Sequence, residues 1–215
     1  VRNTILTCKG GDLIGLAAQR LLSSEGDLSR DLVVFPGQRP GHFLRKLLAN
    51  SRGEAFMSPE IHSIDDWIEK TCLKIGYTRR PLAAMDGVGV LYELQQRKGM
   101  PGGMVKPMSL GAFIPWGYKI LNDFEELLIE DVKPDALRRM QVLAEEKLPE
   151  RLRTTLQDMA GLYQDFYEEV DQKGFTTRSM RYREVAKECG NLDMSAYRQV
   201  LLVGFFGLTQ AERRI

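Results

Sequence analysis

The sequence predicts an α/β fold, a parallel sheet covered by helices and interrupted by an all-helical insertion. Three observations predict it. Strand and helix signatures alternate three times before Gly76. Helix then follows helix with no strand pattern. At Val200-Leu201-Leu202-Val203 four consecutive aliphatic residues return and end at Gly204. Such a run reads as a strand buried on both faces, as in a parallel sheet. The expected division is residues 1–80 plus 199–215 for the α/β core and 81–198 for the insertion.

Each element has its own signal. Thr4 to Thr7 reads as a first strand, with a turn at Lys9-Gly10-Gly11-Asp12. Asp12 can cap a helix whose apolar positions Leu13, Leu16, Ala17, Leu21 and Leu22 follow the 3.6 period. Leu32 to Phe35 is a second buried-type strand, broken by Pro36-Gly37. A helix from about Pro40 turns Phe43, Leu44, Leu47 and Leu48 inward. Ala55 to Ile61 is extended, and Ser63 caps a helix with Ile64, Trp67, Ile68 and Leu73 buried. In the insertion, one helix carries Met85, Val88, Leu91, Tyr92 and Gln95. A Gly/Pro-rich linker from Gly99 to Pro107 follows. A second helix carries Ile120, Leu121, Phe124, Leu127 and Leu128. The longest carries Leu152, Leu156, Met159, Leu162, Tyr163, Phe166 and Val170, in steps of three and four. A fourth runs near Met180 to Cys189. Thr209 and Glu212 form a capping-box pair for a last helix. That helix has under two turns before Ile215, so the chain reads as part of a longer protein.

Composition sets limits on function. Of 215 residues 43% are apolar and 27% charged, which is ordinary for a globular protein. The net charge of +1 hides an asymmetry. Residues 1–52 carry eight Lys/Arg against four Asp/Glu, and residues 116–150 carry five against nine. A basic lobe suits a polyanion partner, and a solvated mixed surface is the alternative. Cys8, Cys72 and Cys189 are far apart and in no metal-ligand spacing, as expected of buried thiols in a reducing cytoplasm. No charged segment followed by an apolar run marks a signal peptide, and the run at 200–208 is too short to span a bilayer.

In a nucleotide-hydrolysing sheet of the P-loop kind, the first turn carries G-x-x-x-x-G-K-[ST], and a later strand ends in carboxylates that hold magnesium and orient water. Here the first turn is Cys8-Lys9-Gly10-Gly11-Asp12-Leu13-Ile14-Gly15, without Gly-Lys-Ser/Thr. The strand ends hold Gly204, Phe205 and Phe206. Both halves of an ATP site are missing from the sequence, so no ATPase activity and no cofactor are expected of these residues. A vestigial nucleotide site at Gly10-Gly11 is the enzyme-class alternative.

The second turn points to nucleic acid. From Val33 to Arg52 there is no acidic residue. Gln38, Arg39 and His42 should lie where a strand ends and a helix begins, the ligand-binding rim of such sheets. Backbone amides and Arg there suit a phosphate backbone, and a solvated basic helix face is the alternative. His62 and Ser63 fall on a third loop of the same rim, where His62 either meets phosphate or serves structure. Asp123, Glu125, Glu126, Glu130 and Asp131 read as a solvated helix face rather than a metal site, because no His accompanies them.

Taken together, these segments resemble a known family. Val33 to Arg45, then Pro59-Glu60-Ile61-His62-Ser63-Ile64-Asp65-Asp66-Trp67-Ile68, are similar to the start of AddB-type proteins. Pro115-Trp116-Gly117, Leu121-Asn122-Asp123-Phe124, Met180-Arg181-Tyr182-Arg183 and Gly204 to Glu212 are similar to later landmarks. AddB-type proteins are helicase-like nuclease subunits of bacterial double-strand-break repair, related to the PD-(D/E)xK nucleases. The resemblance implies a P-loop-NTPase-like core of the superfamily-1 helicase 1A type, with a helical insertion and a lost ATP site. It implies that loops at Pro36–His42 and His62-Ser63 touch single-stranded DNA, and that the subunit works beside a partner helicase subunit. The family's exonuclease domain lies far toward the C-terminus, outside these residues. A scaffold that only contacts the partner subunit is the remaining alternative.

Overall fold

The computed structural model describes residues 11–24, 27–98, 109–144 and 150–215. The expected strand at Thr4–Thr7, the start of the first turn and the linker at Gly99–Pro107 lie outside them. The chain divides into two compact units. One comprises Val1–Ile75 with Gly190–Leu208, the other Gly76–Cys189 with Thr209–Ile215.

The first unit is built on a parallel sheet of three strands, β1 (Asp31–Phe35), β2 (Glu60–Ser63) and β5 (Gln199–Leu202), in the order β2-β1-β5. Val33 stands opposite Ile61 on one side and Leu201 on the other. The central strand forms because Leu32, Val33, Val34 and Phe35 are all buried, and β-branched and aromatic side chains suit a strand covered on both faces. Helix α1 (Leu13–Leu22) begins at Asp12, whose Oδ1 accepts the Gly15 N–H at 2.9 Å. Helix α2 (Gln38–Arg52) ends at Gly53, whose φ of 67° is the left-handed cap that favours glycine. Ala17, Ala18 and Leu21 of α1 and Leu44 and Leu48 of α2 pack with Val33, Phe35 and Ile61. Helix α3 (Ile64–Lys74) packs on β1 and β2.

Three expectations about this unit need correction. β5 is not buried on both faces. Leu201 and Val203 pack on the core, while Val200 and Leu202 alternate to the other face and are exposed. Phe43 is 58% exposed and does not turn inward, because the buried line of α2 runs through Gly41, Leu44 and Leu48. Leu73 likewise faces outward on the last turn of α3.

The second unit is mostly helical: α4 (Ala84–Lys98), α5 (Leu110–Ile129), α6 (Pro134–Ala144), α7 (Glu150–Gln172), α8 (Arg178–Glu188) and α9 (Gln210–Arg214). It is not all-helical. Between these helices β3 (Arg80–Pro81) pairs in parallel with β4 (Phe175–Thr176). The buried residues of α5 fall at 113, 117, 120, 121, 124 and 128, the three-and-four spacing of a helix face. They pack against Val88, Leu91 and Leu94 of α4 and Leu162, Tyr163 and Phe166 of α7. Met85 is exposed and outside that core. Gly117 lets α4 and α5 approach closely, since a Cβ there would lie 2.6 Å from Val88 Cγ1.

Within the acidic stretch, Glu125 has a structural task. Glu125 accepts the Ser179 N–H at 2.9 Å, the Ser179 hydroxyl at 2.8 Å and the Tyr167 hydroxyl at 2.9 Å. It thereby joins Thr177 in capping α8. The solvated-face reading holds for Asp123 and Glu126, which are exposed, and fails for Glu125.

Candidate nucleic-acid interface

Because the three strands are parallel, their C-terminal ends share one edge. That edge carries Pro36-Gly37 after β1, Ser63 at the end of β2 and Val203-Gly204 after β5. Gly204 has a φ of 81°, which sends the chain out of the sheet in a turn that favours glycine. A Cβ on Gly204 would meet Pro36 Cδ at 3.8 Å, so the two turns lie side by side.

Helix α2 starts from this edge. Its N-cap is Gly37, extended and without a side chain to cap the helix. Its first-turn amides and the positive end of its dipole therefore face the edge uncapped. Gly41 seats the first turn on β2, where a Cβ would come within 3.0 Å of Ile61 Cγ2. Arg45 fixes it further by donating to the Ile61 carbonyl at 2.8 Å. Arg52 lies over the Phe56 ring at 5.6 Å. Those two cations serve the fold.

Other side chains of α2 are open. Those of Arg39, His42 and Lys46 are exposed and make no hydrogen bond or ion pair with described residues. At about 100° per residue, Arg39, His42, Phe43, Lys46 and Asn50 share roughly one third of the helix circumference. Lys46, Phe43 and Asn50 also line an open groove of about 300 Å³ with Asp12, Ile14 and Leu47. Spacing from Arg39 shows the cationic line in the sequence. The place of Phe43 within it was hidden, because Phe43 also fits an apolar stripe with Leu47.

The five rim residues thus separate into two groups. Gln38, Arg39 and His42 lie together on the first turns of α2, with Gln38 Nε2 3.4 Å from both Asp66 carboxylate oxygens. Ser63 is buried and caps α3. Its hydroxyl donates to Asp66 Oδ2 at 2.6 Å and accepts the Asp66 N–H at 3.2 Å. The Ser63 hydroxyl, outweighing burial, holds the Asp66 carboxyl below its ordinary range. His62 Nε2 sits 3.3 Å from Glu60 Oε2 and 3.2 Å from Lys70 Nζ. Tyr197 donates to the same Glu60 oxygen at 3.1 Å. Burial works to raise the Glu60 pKa, but the hydrogen bonds from His62 and Tyr197 and the Lys70 charge together lower it.

Among the described residues no cluster of three His, Cys, Asp or Glu is placed to hold a metal ion. None of the described helices is long and apolar enough to cross a membrane. The architecture is that of a mostly helical α/β protein whose parallel strands end at an open cationic helix. No protein-family model and no curated protein matches the chain.

Proposed function

We propose that this chain is a non-catalytic, single-stranded-DNA-binding module of a cytoplasmic helicase-like nuclease subunit of the AddB type. In this reading the α/β unit is a superfamily-1-like core that has lost its ATP site. The helical unit is its insertion, and exonuclease chemistry belongs to a domain beyond these residues. The observation that carries the proposal is the α2 stripe at the strand ends. Arg39, His42 and Lys46 are open to solvent, and no acidic residue occurs from Val33 to Arg52. Phosphates are the natural ligands of such a stripe, since cations and uncapped amides neutralise backbone charge without reading sequence. Gln38 completes the first turn. Ser63 and His62 support it through Asp66 and through the Glu60–Lys70 cluster.

A scaffold reading is favoured by a different observation. Asp123 and Glu126 are exposed on one face of α5, and neither pairs with a described residue. That acidic face suits a basic surface on a partner subunit. A salt titration of single-stranded DNA binding separates the two readings. The DNA reading predicts a log–log slope that becomes shallower when Arg39 is replaced. The scaffold reading predicts no dependence on Arg39, and partner capture that is lost with Asp123→Lys/Glu126→Lys.

A further inference from the structure

One residue on the strand-end edge is outside every contact described so far. Phe206 is 97% exposed. Exposed Leu or Phe side chains are common singly, but Phe206 is far more exposed than the other large apolar side chains among the described residues, which reach 67% at most. It lies four residues after β5 and two after Gly204, whose own Cβ position is 3.8 Å from Pro36 Cδ. Pro36 immediately precedes the N-cap of α2. The strand-end edge therefore carries both an exposed aromatic ring, two residues past Gly204, and the start of a helix whose outer face carries Arg39, His42 and Lys46.

From this juxtaposition we infer that Phe206 is a stacking platform for an unpaired nucleobase. The inference rests on the DNA-binding reading and names the part of the ligand that this site takes. An aromatic ring beside a cationic track is the combination that binds single strands without sequence preference: the cations hold the phosphates, and the ring takes a base face. A duplex keeps its base faces stacked and offers none to the ring, so the site selects single strands over duplex. Every base has a π-face, so dA, dC and dT strands of equal length should bind with similar affinity.

The test uses the intact protein and two fluorescein-labelled 12-mers, one of dT and one carrying only abasic sites. Phe206→Ala is expected to weaken dT binding by about fivefold or more. It should leave abasic binding and the salt slope unchanged, and Phe206→Trp should restore or strengthen dT binding. Because Phe206 is almost fully exposed, both variants should melt with the wild type. If Phe206→Ala binds dT as the wild type does, or weakens both probes equally, the stacking role is wrong while the phosphate track stands. If the wild type binds neither probe, the DNA-binding reading fails and the stacking role with it.

Discussion

Arg198 holds both carboxylate oxygens of Asp31, with Nη2 2.6 Å from Oδ2 and Nε 3.0 Å from Oδ1. Asp31 opens the central strand and is fully buried, whereas Arg198 immediately precedes β5 and is a third exposed. The hydrogen bond to the Asp31 carboxylate, against a smaller effect of burial, raises the pKa of Arg198. This two-pronged contact joins segments 167 residues apart and sets the register that places Asp31 opposite Gln199. It clamps the start of β5 onto the start of the strand from which α2 departs, at the end of the sheet opposite the strand-end edge.

Removing one partner leaves a buried carboxylate unpaired. Arg198→Ala should lower the melting temperature of the α/β unit by on the order of 10 °C, the usual outcome of breaking a buried ion pair from one side. The double change Asp31→Leu/Arg198→Leu should recover part of that loss, because the buried charge is gone as well. Calorimetry on the three proteins checks this. Equal melting of wild type and Arg198→Ala would refute the clamp.

Two glycines of the helical unit should respond in opposite directions to the same substitution. Gly117→Ala drives a Cβ to 2.6 Å from Val88 Cγ1 and 3.0 Å from Phe113 Cε1. Overpacking of this kind costs about 1–3 kcal/mol. Gly89 is inside α4 with open space at its Cβ position. Gly89→Ala should stabilise by about 0.5–1 kcal/mol through helix propensity. Urea titrations of both variants provide the comparison.

The helical unit should lose stability in alkali. Burial pushes the Tyr163 phenol up to about 12, and its hydroxyl donates to the Val132 carbonyl at 2.9 Å. Burial and the Glu125 carboxylate raise the Tyr167 phenol further. Both folded values lie above the unfolded value of about 10, so the neutral phenols stabilise the fold fully below pH 10. That contribution is lost as pH rises from 10 through 12, where the unfolded chain ionises first. At pH 8, Tyr167→Phe should be less stable than wild type by about 1–2 kcal/mol, having lost its bond to Glu125. The gap should narrow between pH 9 and pH 11.5. Melting curves at the two pH values decide it, and a gap that widens would contradict the sign.

Much of this fold is legible in the sequence, for local reasons. Asp12, Ser63 and Thr209 cap the helices expected of them, and each cap is a contact within three residues. Leu32 to Phe35 form the central strand because their whole run is apolar. Elements that depend on distant neighbours were not legible. Four aliphatics at Val200–Val203 look buried on both faces, yet only Leu201 and Val203 find the core. The ladder of Arg80-Pro81 with Phe175-Thr176 has no apolar alternation to announce it. Glu125 is indistinguishable by spacing from its solvated neighbours, since its partner Ser179 lies 54 residues away. At the candidate interface, turn chemistry and the acid-free stretch placed Gln38, Arg39 and His42 on one helix start. Outward exposure of Phe43 and Phe206 followed only from packing.

The strand-end edge should divide its own residues into those that set salt dependence and those that set stability. Arg39 and Lys46 are open cations on one face of α2. Each phosphate neutralised on a single strand contributes a slope of about −0.7 on a log–log plot of affinity against salt. Arg39→Ala and Lys46→Ala should each make the slope shallower by about that amount, equally for different base sequences, because backbone contacts carry no sequence information. Arg45 and Ser63 occupy the same edge but are engaged, Arg45 with the Ile61 carbonyl and Ser63 with Asp66. Arg45→Ala and Ser63→Ala should leave the slope as it is and lower stability, by about 1 kcal/mol for loss of the Ser63 cap. Charge alone therefore does not predict the outcome. Arg39 and Arg45 are identical in type and six residues apart in sequence, and only the first should count toward the slope. Fluorescence anisotropy across a salt series, paired with thermal melts, measures both quantities on each variant. A slope unchanged in Arg39→Ala, Lys46→Ala and His42→Ala together would remove the phosphate track and leave the scaffold reading in its place.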